Sequence, residues 1–106
     1  MYFNINPKGT SIVKVTPKSK AFTVSWNKQT NQTTGYQIQY STYSSFSGAK
    51  IITMPKNTYY AKSITGLSGN KRYYVRVRTY KVVKFNGKNY NLYSPWSSAK
   101  YITTKK

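Results

Sequence analysis

The sequence predicts an all-β fold, an antiparallel sandwich of seven short strands. Three observations carry that prediction. Apolar residues alternate with polar ones over short runs, and no segment holds a helical period across ten residues. Turn residues punctuate the chain every eight to twelve residues or so, the spacing of sandwich strands. The apolar content, 38% with 12 Tyr and 2 Trp, is too rich for a disordered basic tail, so the strands have a core to build.

Taken in order, "SIVKVT" (11–16) sets Ile12 opposite Val13 and Val15, with Pro17 as its stop. "AFTVSW" (21–26) puts Phe22, Val24 and Trp26 on one face, and "NKQTNQTTG" follows as a polar loop. Asn31-Gln32-Thr33 in that loop matches a glycosylation pattern, which a stretch so rich in Asn and Thr produces by chance. "YQIQYS" places Tyr36, Ile38 and Tyr40 on one face and Gln37 and Gln39 on the other. "AKIITM" (49–54) is a short strand ended by Pro55, and "TYYAKSITGL" (58–67) is another, ending in a turn at Gly66 and Gly69. Lys62 shares the parity of Ile64 and therefore points inward, a device that protects an edge strand from pairing with another chain. "RYYVRVRTYKV" (72–82) alternates most clearly: Tyr73, Val75 and Val77 face one way, Tyr74, Arg76, Arg78 and Tyr80 the other. Asn86-Gly87 is a strong hairpin signal, because both central residues of the favoured turn need positive φ. In the last strand, "PWSSAKYITT" (95–104), Trp96, Ala99 and Ile102 fall out of period, which predicts a bulge. The expected core is Trp26, Ile38, Tyr40, Ile64, Leu67, Tyr73, Val75 and Val77.

With "GYQIQYST", "ITGL", "YYVRVRTYK" and "YSPWSSAK" in place, residues 11 to 104 resemble a fibronectin type III domain, an immunoglobulin-like sandwich. Within that family the chain is similar to domains of bacterial secreted and cell-surface proteins. The resemblance implies that Tyr73 is the tyrosine corner, its hydroxyl bonding back to the turn near Leu67. It also implies an extracellular parent in which such domains serve as spacers, adhesion modules or accessories to carbohydrate enzymes. One domain is expected, with 1–10 as a leader, 11–104 as the sandwich and 105–106 as a tail. The opening "MYFNINPKG" has no signal-peptide architecture, as expected of an excised recombinant domain.

Composition bounds the chemistry more tightly than any motif. There are 18 Lys and Arg, no Asp or Glu, no His and no Cys, for a formal charge of +18. A chain this long ordinarily carries about a dozen acids. Tyr43 stands where the resembled domains often place Asp in a turn. A kept fold pattern with every acid missing predicts replacement by design, giving an engineered, positively supercharged module. Metal sites draw on Cys, His and carboxylates, so no metal and no cofactor is expected. General acid–base catalysis has only Lys and Tyr left, and no Ser–Lys pair is singled out, so no enzyme is expected. No phosphate-binding glycine loop and no specific small-molecule site is legible.

Two binding surfaces are expected. The row Tyr74, Arg76, Arg78, Tyr80 interleaves cations with rings and could contact phosphates and stack bases, giving salt-sensitive binding to nucleic acid or heparin. Tyr43, Phe46, Tyr90, Tyr93 and Trp96 fit the composition of an engineered loop paratope for a protein target. No membrane span is expected, and like charge favours a monomer.

Overall fold

The computed structural model describes residues 7–106. Its strands are β1 (Ile12–Lys18), β2 (Ala21–Trp26), β3 (Gly35–Ser41), β4 (Lys50–Met54), β5 (Ala61–Ile64), β6 (Arg72–Phe85), β7 (Lys88–Tyr93) and β8 (Lys100–Thr103). They form two antiparallel sheets with no helix among the described residues: β1-β2-β5, and β4-β3-β6, with β7 and β8 both paired to β6. The sheets close on one core, to which the first contributes Phe22, Val24, Trp26 and Ile64, and the second Tyr36, Ile38, Met54, Tyr73, Val75 and Val77. Burying a side chain of this size is worth about 1.5–3 kcal/mol. Tyr40 and Leu67, both expected in the core, lie half-buried against its edge.

Several strand limits differ from the alternation pattern. Pro17 does not stop the first strand: it pairs with Phe22 on an edge, where its missing N–H breaks no ladder bond. A register shift between Ile12 and Lys14 turns Val13 out to solvent while Ile12 and Val15 both meet the core. Only Ala61–Ile64 of the 58–67 segment is strand, and Tyr60 before it is exposed. Lys62 sits opposite Val24 on the inner face of the edge strand β5, where it is half-buried.

The last segment departs most. β6 continues to Phe85, and the Asn86-Gly87 turn (φ 52° and 76°) returns it as β7, an eighth strand rather than seven. β7 covers Tyr80 to Phe85, β8 covers only Arg72 to Val75, and 94–99 bridges the gap. There Ser94 and Ser97 substitute for a regular ladder. Each backbone N–H donates to a β6 carbonyl (Thr79, 3.1 Å; Val77, 2.8 Å), while each hydroxyl accepts the matching N–H (2.9 and 3.0 Å). Three residues thus advance along two, which is the bulge that the broken period of Trp96, Ala99 and Ile102 predicts.

Residues outside the expected sandwich limits are also bonded. Thr79 Oγ1 donates to the Lys8 carbonyl (2.6 Å), Lys105 N–H donates to the Lys18 carbonyl (2.9 Å), and Ser19 pairs with Lys105 in a parallel bridge.

Candidate functional site: an arginine–aromatic stack on the outer sheet face

Strand alternation puts Arg76 and Arg78 side by side on the outer face of β6, and the antiparallel register sets Gln39 and Gln37 directly opposite them on β3. In a chain without acidic side chains these amide oxygens are the acceptors. Arg76 Nε donates to Gln39 Oε1 (2.6 Å); Arg78 Nε and Nη2 donate to Gln37 Oε1 (3.0 and 2.7 Å). Lys81 Nζ follows the same rule with Gln32 Oε1 (2.6 Å).

Rings then enclose the two guanidiniums. Arg76 lies 4.1 Å from the Phe46 ring centroid and 4.8 Å from that of Trp96; Arg78 lies 4.2 Å from Trp96 and 3.9 Å from Tyr93. The order is Phe46, Arg76, Trp96, Arg78, Tyr93, with each cation between two π faces. The irregular 94–99 segment makes this possible. By pinning its backbone to β6 through Ser94 and Ser97, it holds the Trp96 indole over the sheet between the arginines. Burial lowers the Arg78 pKa from its ordinary value; the Tyr93 phenol opposes that shift and neighbouring Arg76 reinforces it. The guanidinium still remains charged at any ordinary pH. A smaller copy lies at the strand's start, where Arg72 sits 4.7 Å from the Tyr101 centroid and Tyr101 packs on Tyr74 at 6.0 Å.

The predicted row Tyr74, Arg76, Arg78, Tyr80 is therefore not a free cationic face. Arg76 and Arg78 are half-buried and engaged with five neighbours, and Tyr80, expected to point outward, is buried. Its ring covers Gly35 across the sheet: a Cβ there would stand 3.1 Å from Tyr80 Cε1 and 2.1 Å from the Met54 carbonyl oxygen, so only glycine fits. Burial first, then the nearby Tyr93, raises the Tyr80 phenol pKa.

Nor do the predicted paratope residues share one loop end. Phe46, Tyr93 and Trp96 belong to the stack, Tyr43 lies exposed in the β3–β4 turn, and Tyr90 lies on β7 towards the hairpin tip. Since β3 runs from its pair with Tyr80 to its pair with Tyr74, the turn carrying Tyr43 is at the end of the sheet opposite the hairpin.

The sequence reading missed Gln37, Gln39, Ser94 and Ser97. Outward parity next to paired arginines was the available signal for the two glutamines. Nothing local marked the serines.

A family model described as fibronectin type III domain matches residues 6–93. No curated protein matches the sequence significantly. Among solved structures, the FN1–FN3 domains of chicken CNTN1 superpose with TM-score 0.74 and 25% identity over 96% of this chain. The match takes in 32% of that protein, so this chain spans about a third of its length. The fn3 domain of human contactin 1 gives 0.69 and 18%, covering 100% of this chain and 87% of that one. A beta-1,2-glucanase from Parabacteroides distasonis gives 0.66 and 14%, covering 93% of this chain and 13% of the glucanase.

Proposed function

Because this chain belongs to the fibronectin type III family, we propose that it is a non-catalytic spacer or adhesion module of the extracellular, bacterial kind, with its acids replaced on a retained scaffold. One observation carries the reading. The residues best suited to recognition, the Arg76 and Arg78 guanidiniums and the Phe46, Tyr93 and Trp96 rings, are bound to each other and to Gln37 and Gln39. The outer face is thereby part of the scaffold. The Ser, Thr and Tyr hydroxyls have no imidazole or side-chain carboxylate to activate them, since the sequence has no His, Asp or Glu. No helix among the described residues is long and apolar enough to cross a membrane.

The charge of +18 supports a second property, diffuse binding of polyanions. Titration of a labelled DNA duplex separates this from a dedicated face. Binding is expected in dilute buffer and should fall steeply, on the order of 10³-fold or more, between about 50 and 200 mM salt. Arg76→Gln should weaken it no more than Lys14→Gln does. A selective loss at Arg76 would instead make the stack a nucleic-acid site. Binding to a protein target that survives high salt would favour the engineered-binder reading.

A further inference from the structure

Where the sandwich opens between the β3–β4 turn and the β5–β6 turn lies a cleft of about 410 Å³, within the range of small-ligand sites. Tyr40, Tyr73 and Leu67 line it together with Thr42, Ser47, Lys50 and Thr65. The register explains why a lysine is there: Lys50 pairs with Tyr40, so its side chain leaves the sheet on the inner face, at the mouth of the core.

Both walls are fixed without a ligand. In the first turn Ser41 Oγ donates to the Ser47 carbonyl (2.7 Å) and accepts from Tyr43 N–H (3.1 Å), and Phe46 N–H donates to the Tyr43 carbonyl (2.9 Å). Phe46 is also held under Arg76. In the second, Ser68 N–H donates to the Tyr73 hydroxyl (3.0 Å) and Leu67 N–H to the Lys20 carbonyl (3.0 Å). Tyr40 and Tyr73 pack at 6.4 Å from each other, and both pack on buried Phe22. Polar groups of the lining residues remain available: the hydroxyls of Tyr40, Thr42, Ser47 and Thr65 and the Lys50 ammonium make no hydrogen bond within the described residues.

We infer that this cleft binds a single anionic sugar residue. Its aromatic edge suits the apolar face of a pyranose, the hydroxyls suit the sugar's own hydroxyls, and Lys50 supplies one charge-assisted bond to a carboxylate or sulfate. A preformed site of this kind avoids most of the ordering cost of binding. It is distinct from the diffuse attraction of polyanions, which needs no cleft and no particular lysine.

Sodium glucuronate titrated into ¹⁵N-labelled protein at about 0.15 M salt, where long-range attraction between exposed charges is screened, tests the inference. Saturable shifts confined to residues 41–50 and 65–68 are expected. Glucose should move the same resonances more weakly, and sodium sulfate should not saturate there. Lys50→Gln should weaken glucuronate about tenfold, as loss of a charged hydrogen bond does, and leave glucose unchanged. Tyr40→Phe, which keeps the ring, should weaken both sugars. Shifts scattered over the surface lysines, no shift at all, saturation by sulfate as tight as by glucuronate, or confined shifts indifferent to both substitutions would each overturn it.

Discussion

At the scale of single residues, two tyrosine hydroxyls tie loops to the core. Tyr36 accepts from Gln29 N–H and donates to the Asn57 carbonyl, both at 2.7 Å, linking the β2–β3 and β4–β5 loops through a ring that is fully buried. Tyr73 holds the β5–β6 turn through Ser68 N–H. Tyr73→Phe keeps the ring and orphans that donor, and should cost about 1–3 kcal/mol in urea unfolding. Tyr73 was legible in the sequence only through the resemblance to fibronectin type III domains, which implies a tyrosine corner at that position. Tyr80 was not. Its parity is outward, and only the bare Gly35 on the neighbouring strand lets it lie down and be covered. That placement carries a pH signature. With its pKa raised in the fold, the phenol holds its proton after the unfolded chain has lost its own, so the fold binds more protons and stability falls as pH rises. The contribution is intact below an ordinary phenol's pKa of about 10 and is lost through the folded value above it. Tyr80→Phe should flatten part of that alkaline decline, measured by thermal melts up to about pH 11.

At the scale of elements, alternation identified strand interiors and misjudged strand ends. Phe22, Val24 and Trp26, or Tyr73, Val75 and Val77, each line one buried face because a period of two admits no other arrangement once a core exists. Ends are decided across strands. β5 stops at Ile64 because its partner β2 begins at Ala21, and Pro17 stays in β1 because the edge leaves its nitrogen unneeded. The split between β7 and β8 was the least legible feature, since two serine side chains stand in for backbone acceptors. Trp96 ties that segment to β6 through both arginines. Each such contact is worth about 0.5–2 kcal/mol. Trp96→Ala should therefore lower stability by roughly 1–4 kcal/mol from two contacts. Hydrogen exchange should speed up at the amides of Val77 and Thr79, which the serine hydroxyls protect. Unchanged protection there would mean that the serines hold the segment without the indole.

At the scale of the whole molecule, eighteen cations must be held together with no acidic side chain to offset them. Two features make this workable. The core is apolar and shared by both sheets, with Phe22, Val24, Tyr36, Ile38, Val75 and Val77 wholly buried, so its contribution does not depend on charge. Three of the cations find neutral acceptors in Gln32, Gln37 and Gln39, which satisfy their hydrogen bonds without removing their charge. Repulsion among the cations therefore remains, and it is the part of the balance that solvent ions can change. Raising NaCl from about 10 mM to about 0.15 M shortens the screening length from about 30 Å to about 8 Å, which is less than the 21 Å of the molecule's shortest dimension. The melting temperature should rise over that interval. Tyr43→Asp, which places one carboxylate in an exposed turn, should raise it at the low-salt end by the equivalent of about 0–1 kcal/mol and have less effect at the high-salt end. Acid should do almost nothing. Without Asp, Glu or His, no side chain titrates between about pH 3 and pH 9, so folded and unfolded chains bind equal numbers of side-chain protons and the slope of stability with pH is near zero. Calorimetry at pH 3 and pH 7 in matched salt should give nearly equal transitions. A drop of many degrees at pH 3 would mean that the fold depends on a titrating group that this chain's side chains do not contain.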